Sequence, residues 1–226
     1  MPRGSVRLVF HGGGHSEDNI KLNREALRMC REKDPVIAYI PACSIDAESD
    51  FLEFARGFQE LGVGRFLYFP IDVPFDQTML TQVFSANIIH LSGGNTFYFL
   101  KWLRRTKLMT KIKEFVRNGG VLTGLSAGGI LMTPDISSAS YPEFDCDENE
   151  EHLRDLRALK LVNFEFFPHY RNSKRYEREL INQSKLIDYP IYGVADGNGI
   201  VVEGEKTSFV GKTLCFYKGK KIVIGR

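Results

Sequence analysis

Ser126 stands in Gly124-Leu125-Ser126-Ala127-Gly128, with Val121–Thr123 before it and Gly129-Ile130-Leu131-Met132 after it. An apolar run that ends in Gly-x-Ser-x-Gly and continues as a helix-compatible run is the form of a nucleophile elbow. The strand turns sharply at the serine and leaves as a helix. Gly124 and Gly128 leave room for that strained turn. The hydroxyl is then lifted clear of the backbone, and the Ala127 N–H points toward the same space. The helix N-terminus beyond favours developing negative charge. The chemistry such a serine performs is attack on a carbonyl carbon. The competing reading is an ordinary glycine-rich turn with an incidental serine.

A serine nucleophile needs a base, and the chain has five histidines. His90 lies within a strand and reads as a core residue. His152 follows the acidic stretch Asp145–Glu151 and reads as solvated, and His15 falls in a loop. His11 and His169 both follow strands, and residue type alone leaves both open. Gly93 and Gly94 lack Cβ atoms, so their amides can approach a ligand oxygen and form an oxyanion hole with the Ala127 N–H. The alternative is a tight turn into a helix capped by Asn95 or Thr96. The acidic stretch lacks the turn glycine of a calcium loop and reads as a solvated loop or helix start. Gly211-Lys212-Thr213 lacks the upstream glycine of a phosphate loop, where Lys206 stands. Arg171, Lys174, Arg175 and Arg178 follow His169 closely, and they suit either a substrate carboxylate or a basic helix start.

The elements that must position these groups alternate. Strands are predicted at Val6–Phe10, Val36–Ile40, Phe66–Phe69, Ile88–Leu91 and Val121–Thr123. Helices are predicted at 18–33, along the Phe51, Phe54, Ala55, Phe58, Leu61 stripe, from Phe97 through Leu103, and at Met109–Asn118. This alternation predicts an α/β fold: a doubly wound, mostly parallel sheet with helices on both faces. Val162–Phe167 is a further strand and Tyr176–Lys185 a helix. Five short strand-like runs after Pro190, punctuated by glycines, predict a C-terminal β-meander. In an open parallel sheet, ligands bind beyond the carboxyl ends of the strands. His11-Gly12-Gly13-Gly14, Ser92-Gly93-Gly94-Asn95, Ser126 and His169 all fall at such ends.

The 226 residues predict one domain over 1–226. A net charge of +2 gives no pull toward nucleic acid or a membrane surface. No run approaches the ~18 apolar residues of a membrane helix, and no secretory leader is visible. Four scattered cysteines without a Cys-x-x-Cys pair fit reduced thiols. A cytoplasmic protein is expected.

Gly93-Gly94-Asn95-Thr96-Phe97, Gly124-Leu125-Ser126-Ala127-Gly128, Phe167-Pro168-His169, Arg175-Tyr176-Glu177-Arg178 and Asp196-Gly197-Asn198 resemble, in order, segments of the peptidase family of dipeptidase E and cyanophycinase, family S51. The resemblance covers nearly the whole chain. It implies a fold like that of class I glutamine amidotransferases (flavodoxin-like). It implies Ser126 as nucleophile, His169 as general base, and the amides of Gly94 and Ala127 as oxyanion hole. Gly93, Asn95 and Arg175 would contact substrate, with Arg175 on an acidic side chain. The chain departs from dipeptidase E at Ser173-Lys174, where a Glu-Thr pair is expected, and at Ser137–Tyr141, where the family acid after the elbow falls.

The resemblance implies a carboxylate between the elbow and the histidine, where Asp135, Glu143, Asp145 and Asp147 stand, with Glu143 and Asp145 nearest the expected separation from Ser126 and His169. Asp135 comes too soon after the elbow. Asp145 is the choice, with Glu143 close behind. Asp196, at the end of a later strand, and a Ser–His dyad without an acid are the alternatives. The expected activity is hydrolysis of short peptides by a serine exopeptidase, through an acyl-enzyme, with N-terminal aspartyl preference as one option. No cofactor and no metal are expected. The expected partner is a small peptide substrate, and a homodimer is left open. The rival readings are a binding module without turnover and an amidohydrolase for a non-peptide amide.

Overall fold

The computed structural model describes residues 6–45 and 47–225. The chain opens with β1 (Arg7–His11), α1 (Ile20–Cys30), β2 (Val36–Ile40), α2 (Ala47–Gln59), β3 (Arg65–Tyr68) and α3 (Gln77–Phe84). It continues with β4 (Ile88–Leu91), α4 (Thr96–Arg105), α5 (Leu108–Arg117), β5 (Val121–Leu125) and the single turn α6 (Ala127–Ile130). Then come β6 (Glu165–Phe167), α7 (Lys174–Gln183), β7 (Ile191–Val194), β8 (Gly199–Glu203), β9 (Lys206–Val210), β10 (Thr213–Tyr217) and β11 (Lys220–Ile224).

A seven-stranded sheet runs β3-β2-β4-β5-β1-β8-β9. Its first five strands are parallel, and β8 and β9 add an antiparallel edge. The central strands β1, β2, β4 and β5 are buried almost throughout. They read as mostly apolar runs because helices cover both faces. Alternation along β1 then assigns the layers. Val9 packs with Leu22 and Met29 of α1 and Phe58 of α2. Leu8 and Phe10 pack on the other face with Leu100 of α4 and Ile112 of α5.

The five C-terminal strands form, but they do not make one meander. β8–β9 and β10–β11 are separate hairpins. The first closes the large sheet, and the second joins β7 and β6 in a four-stranded sheet ordered β11-β10-β7-β6. Nor does β6 start at Val162. The amides of Leu159 and Leu161 donate to the carbonyls of Leu131 and Met132, so this part of the chain is pinned beside the elbow before it reaches the sheet. The α6 helix stops after one turn. Thr133 N–H still closes on Ile130 O, but Pro134 has no N–H to continue the ladder. Among the described residues, no helix is long and apolar enough to cross a membrane.

One buried acid ties the small sheet to the loop above it. Tyr141 Oη donates to Glu165 Oε1 at 2.7 Å, and both residues are buried. Burial raises the Glu165 pKa from 4.5 to about 7. The native state therefore holds this proton more tightly than the unfolded chain. Stability from this group is present at acidic pH and is lost as pH rises through about 7. Glu165→Gln keeps an acceptor for Tyr141 and removes the ionisation. It is expected to raise stability at pH 8 by on the order of 1–3 kcal/mol, with little effect at pH 5. Denaturant unfolding at the two pH values checks this, and an equal change at both would mean that ionisation is not the cost.

Candidate active site

β5 delivers Ser126 from the centre of the large sheet. Its backbone sits at φ 49°, ψ −109°, a strained conformation for a residue with a side chain. Two contacts explain the glycines around it. A Cβ on Gly124 would lie 2.4 Å from the Gly128 carbonyl carbon, and one on Gly128 would lie 2.1 Å from Leu91 O. The Ser126 N–H donates to His11 O at 3.1 Å, so the end of β1 holds the turn down.

β6 delivers His169. Its backbone φ is 52°, and its N–H donates to Gly12 O at 2.8 Å. The imidazole Nε2 lies 2.9 Å from Ser126 Oγ. Its Nδ1 lies 2.7 Å from Asp196 Oδ1. Asp196 follows β7, and its loop is tied to the same segment: Gly12 N–H donates to Asn198 O and Gly197 N–H to Gly13 O. Residues 11–13 thus brace the serine, the histidine and the aspartate at once.

The acid beside His169 is therefore Asp196, and the Asp145 expectation is corrected. Asp145 accepts a hydrogen bond from Tyr176 Oη instead. The 142–149 segment is spread over the N-terminus of α4: Asp147 N–H donates to Ala139 O, and Asp147 Oδ2 accepts from Thr96 N–H at 2.7 Å. That anchoring keeps the acidic stretch on the far wall, and Glu143 is exposed.

Gly13 is the residue that sequence reasoning left without a role of its own. At φ 135°, a Cβ there would lie 2.1 Å from Asp196 Oδ1 and 2.4 Å from the His169 ring. The space belongs to the imidazole–carboxylate pair. Gly13→Ala is expected to lower kcat by about 10²-fold, because a displacement near 1 Å costs that much in an oriented site. Steady-state kinetics on purified variant checks it, and wild-type turnover would show that the pair adjusts freely.

Ser126 and His169 open onto a cavity of about 330 Å³, also lined by Gly94, Tyr141, Asp145, Asp147 and Arg171. Ala127 opens α6, so its N–H has no intrahelical acceptor. With one turn behind it, the helix contributes little field, and what remains useful is the amide itself. The other expected contacts fall differently. Gly93 lines a different cavity. Asn95 caps α4: its Oδ1 accepts from Tyr98 N–H and its Nδ2 donates to Glu148 O, both at 2.9 Å. Its side chain is thus engaged at both ends by the fold. The Arg175 guanidinium stacks 3.7 Å from the Phe144 ring centroid, and Arg171 is the arginine that lines the Ser126 cavity. His11 and His90 are buried, 2% exposed each, and both are held below the usual imidazole pKa by burial.

Residues 8–210 match the model of peptidase family S51. The chain belongs to that family. It is 32% identical over 180 residues to the uncharacterized peptidase Lin0382 of Listeria innocua, covering 75% of this chain and 81% of that one. It is 27% identical over 198 residues to a peptidase E of Nostoc, covering 80% and 75%. The crystal structure of a peptidase from an acI-B1 actinobacterium shares the fold, with a TM-score of 0.72 over 98% of this chain and 94% of that one, at 16% identity.

Proposed function

We propose that the protein is a serine-type exopeptidase that releases the N-terminal residue of short peptides. The observation that carries this reading is the unbroken series Ser126 Oγ, His169 Nε2, His169 Nδ1, Asp196 Oδ1, with heavy-atom separations of 2.9 and 2.7 Å across its two contacts. Ser126 Oγ attacks the scissile carbonyl carbon and passes its proton to His169 Nε2. Asp196 keeps the proton on Nδ1 and stabilises the imidazolium. The carbonyl oxygen takes up negative charge toward the amides of Gly94 and Ala127. The C–N bond breaks as Nε2 returns its proton to the amine. Water, deprotonated by the same nitrogen, then hydrolyses the acyl-enzyme.

The cavity supports a small acyl residue. Arg171 is its cation, and Asp145 and Asp147 share its wall. Those carboxylates suit a free α-ammonium group, which supports action at the chain terminus. They also weaken the field of Arg171, so N-terminal aspartate is one accepted residue and not a strict requirement. Arg171 takes the substrate-reading role in place of Arg175. A library of free and N-acetylated dipeptides tests the reading: hydrolysis of the free forms alone supports it, and no hydrolysis of any form would leave a binding module.

A further inference from the structure

A second cavity, of about 280 Å³, is lined by Gly93 and Leu125, next in the chain to Gly94 and Ser126, which line the first. The mechanism above uses none of its polar groups. His11 and Asn19 line it and are 2% and 5% exposed. Asn19 Nδ2 donates to the carbonyls of Gly13 and His15 at 3.1 and 2.9 Å, which fixes the orientation of the amide. Asn19 Oδ1 then has no partner, and neither does His11 Nε2. An unpaired buried polar atom on each of two residues that line one cavity calls for a ligand that pairs with them.

The rest of the lining states its charge. Asp50 and Glu53, three residues apart on α2, line the cavity, and no lysine or arginine does so among the described residues. Glu53 Oε1 meets His15 Nδ1 at 3.2 Å and accepts from Ser16 N–H at 3.1 Å. The rings of Tyr39 and Phe54, with centroids 5.0 Å apart, supply aromatic surface. An anion would meet two carboxylates here, and an apolar group would leave His11 Nε2 and Asn19 Oδ1 unpaired. An ammonium or guanidinium group satisfies these features: it donates to Asn19 Oδ1, and to His11 Nε2 in the tautomer with its proton on Nδ1, offsets the carboxylates and tolerates the ring faces.

We propose that this cavity is a subsite for the basic side chain of a lysine or arginine on the leaving residue of the peptide cleaved at Ser126. The inference rests on the peptidase reading. The acyl residue occupies the cavity that holds Ser126 and His169, and the space across Gly93 receives the residue beyond the scissile bond.

Two measurements on the full-length enzyme test it. The first is kcat/KM on Ala-Lys, Ala-Leu, Ala-Glu and Lys-Ala. Ala-Lys is expected to exceed Ala-Leu by about tenfold, and Asp50→Asn with Glu53→Gln is expected to bring that ratio near one. Both side chains lie toward solvent on α2, so the double variant keeps its core. The second is calorimetry with free lysine and free norleucine, which needs no turnover. Lysine is expected to bind wild type and not the double variant, and norleucine neither. Turnover of neutral dipeptides with no Ala-Lys preference and no lysine binding overturns the subsite and leaves the peptidase reading standing. A preference for Lys-Ala over Ala-Lys overturns the assignment to the leaving residue. If no peptide is cleaved, the peptidase reading fails, and lysine binding lost in the double variant then supports the cation site by itself.

Discussion

Ser126→Ala is expected to lower kcat by at least about 10³-fold while the protein stays folded. The substitution removes one oxygen, and Ser126 N–H keeps its bond to His11 O, so the turn is still held. What is lost is the hydroxyl oxygen 2.9 Å from His169 Nε2, the atom that forms the acyl bond in the proposed reaction. KM should change little, because the groups lining the acyl cavity remain. The experiment is steady-state kinetics on the best substrate of the dipeptide library, with thermal unfolding as the folding control. An unchanged unfolding midpoint with wild-type turnover would remove Ser126 from the mechanism. The size of the residual rate is informative too. Orientation and the two amides still act on bound substrate, so the variant should remain above the uncatalysed reaction.

Much of this arrangement was legible because burial writes itself into residue type. The strands β1, β2, β4 and β5 are covered on both faces and so consist of nearly continuous apolar residues. Ser126 was legible as a chemistry-bearing residue at a strand end, His11 and His169 stood equally at such ends until the resemblance favoured His169, and the rule that ligands bind there is topological. The same rule pointed to Asp196, which ends the β7 run. It was outweighed by the family resemblance, which implies an acid between the elbow and the histidine and, by separation, favoured Asp145. Separation along the chain carries little weight once residues 11–13 join three distant loops. The split of the C-terminal strands between two sheets was not legible, since two glycine-punctuated hairpins look alike whichever sheet they extend. α3 was overlooked although its signal was present: Asp76 Oδ1 caps it by accepting from Met79 N–H at 2.8 Å, and Leu80 and Val83 recur at helical spacing. Arg171 and Arg175 could not be ranked from type. The first precedes α7 and lines the cavity, while the second is the second residue of α7 and stacks on Phe144.

Asp196→Asn is expected to lower kcat by up to ~10⁴-fold, and Asp145→Asn by far less. The two substitutions are alike in size and charge, so the comparison isolates position. At 2.7 Å from His169 Nδ1, a carboxylate can only accept, and it fixes the proton on that nitrogen. Nε2 is then left with its lone pair toward Ser126 Oγ, as a base must be. An amide at residue 196 can present its NH₂ to Nδ1 instead. The proton then moves to Nε2, the imidazole points a donor at the serine, and the imidazolium of the transition state loses its counter-charge. Asp145→Asn leaves that pair intact. It changes the acceptor for Tyr176 Oη and one charge on the acyl cavity, so its effect should fall mainly on KM for substrates with a free α-ammonium group. Raising pH should partly rescue Asp196→Asn, because hydroxide can replace the missing base, and it should not rescue Ser126→Ala. If Asp145→Asn collapses in kcat while Asp196→Asn stays near wild type, the histidine is oriented from the other wall, and the geometry of the resting enzyme is not the geometry of the reaction.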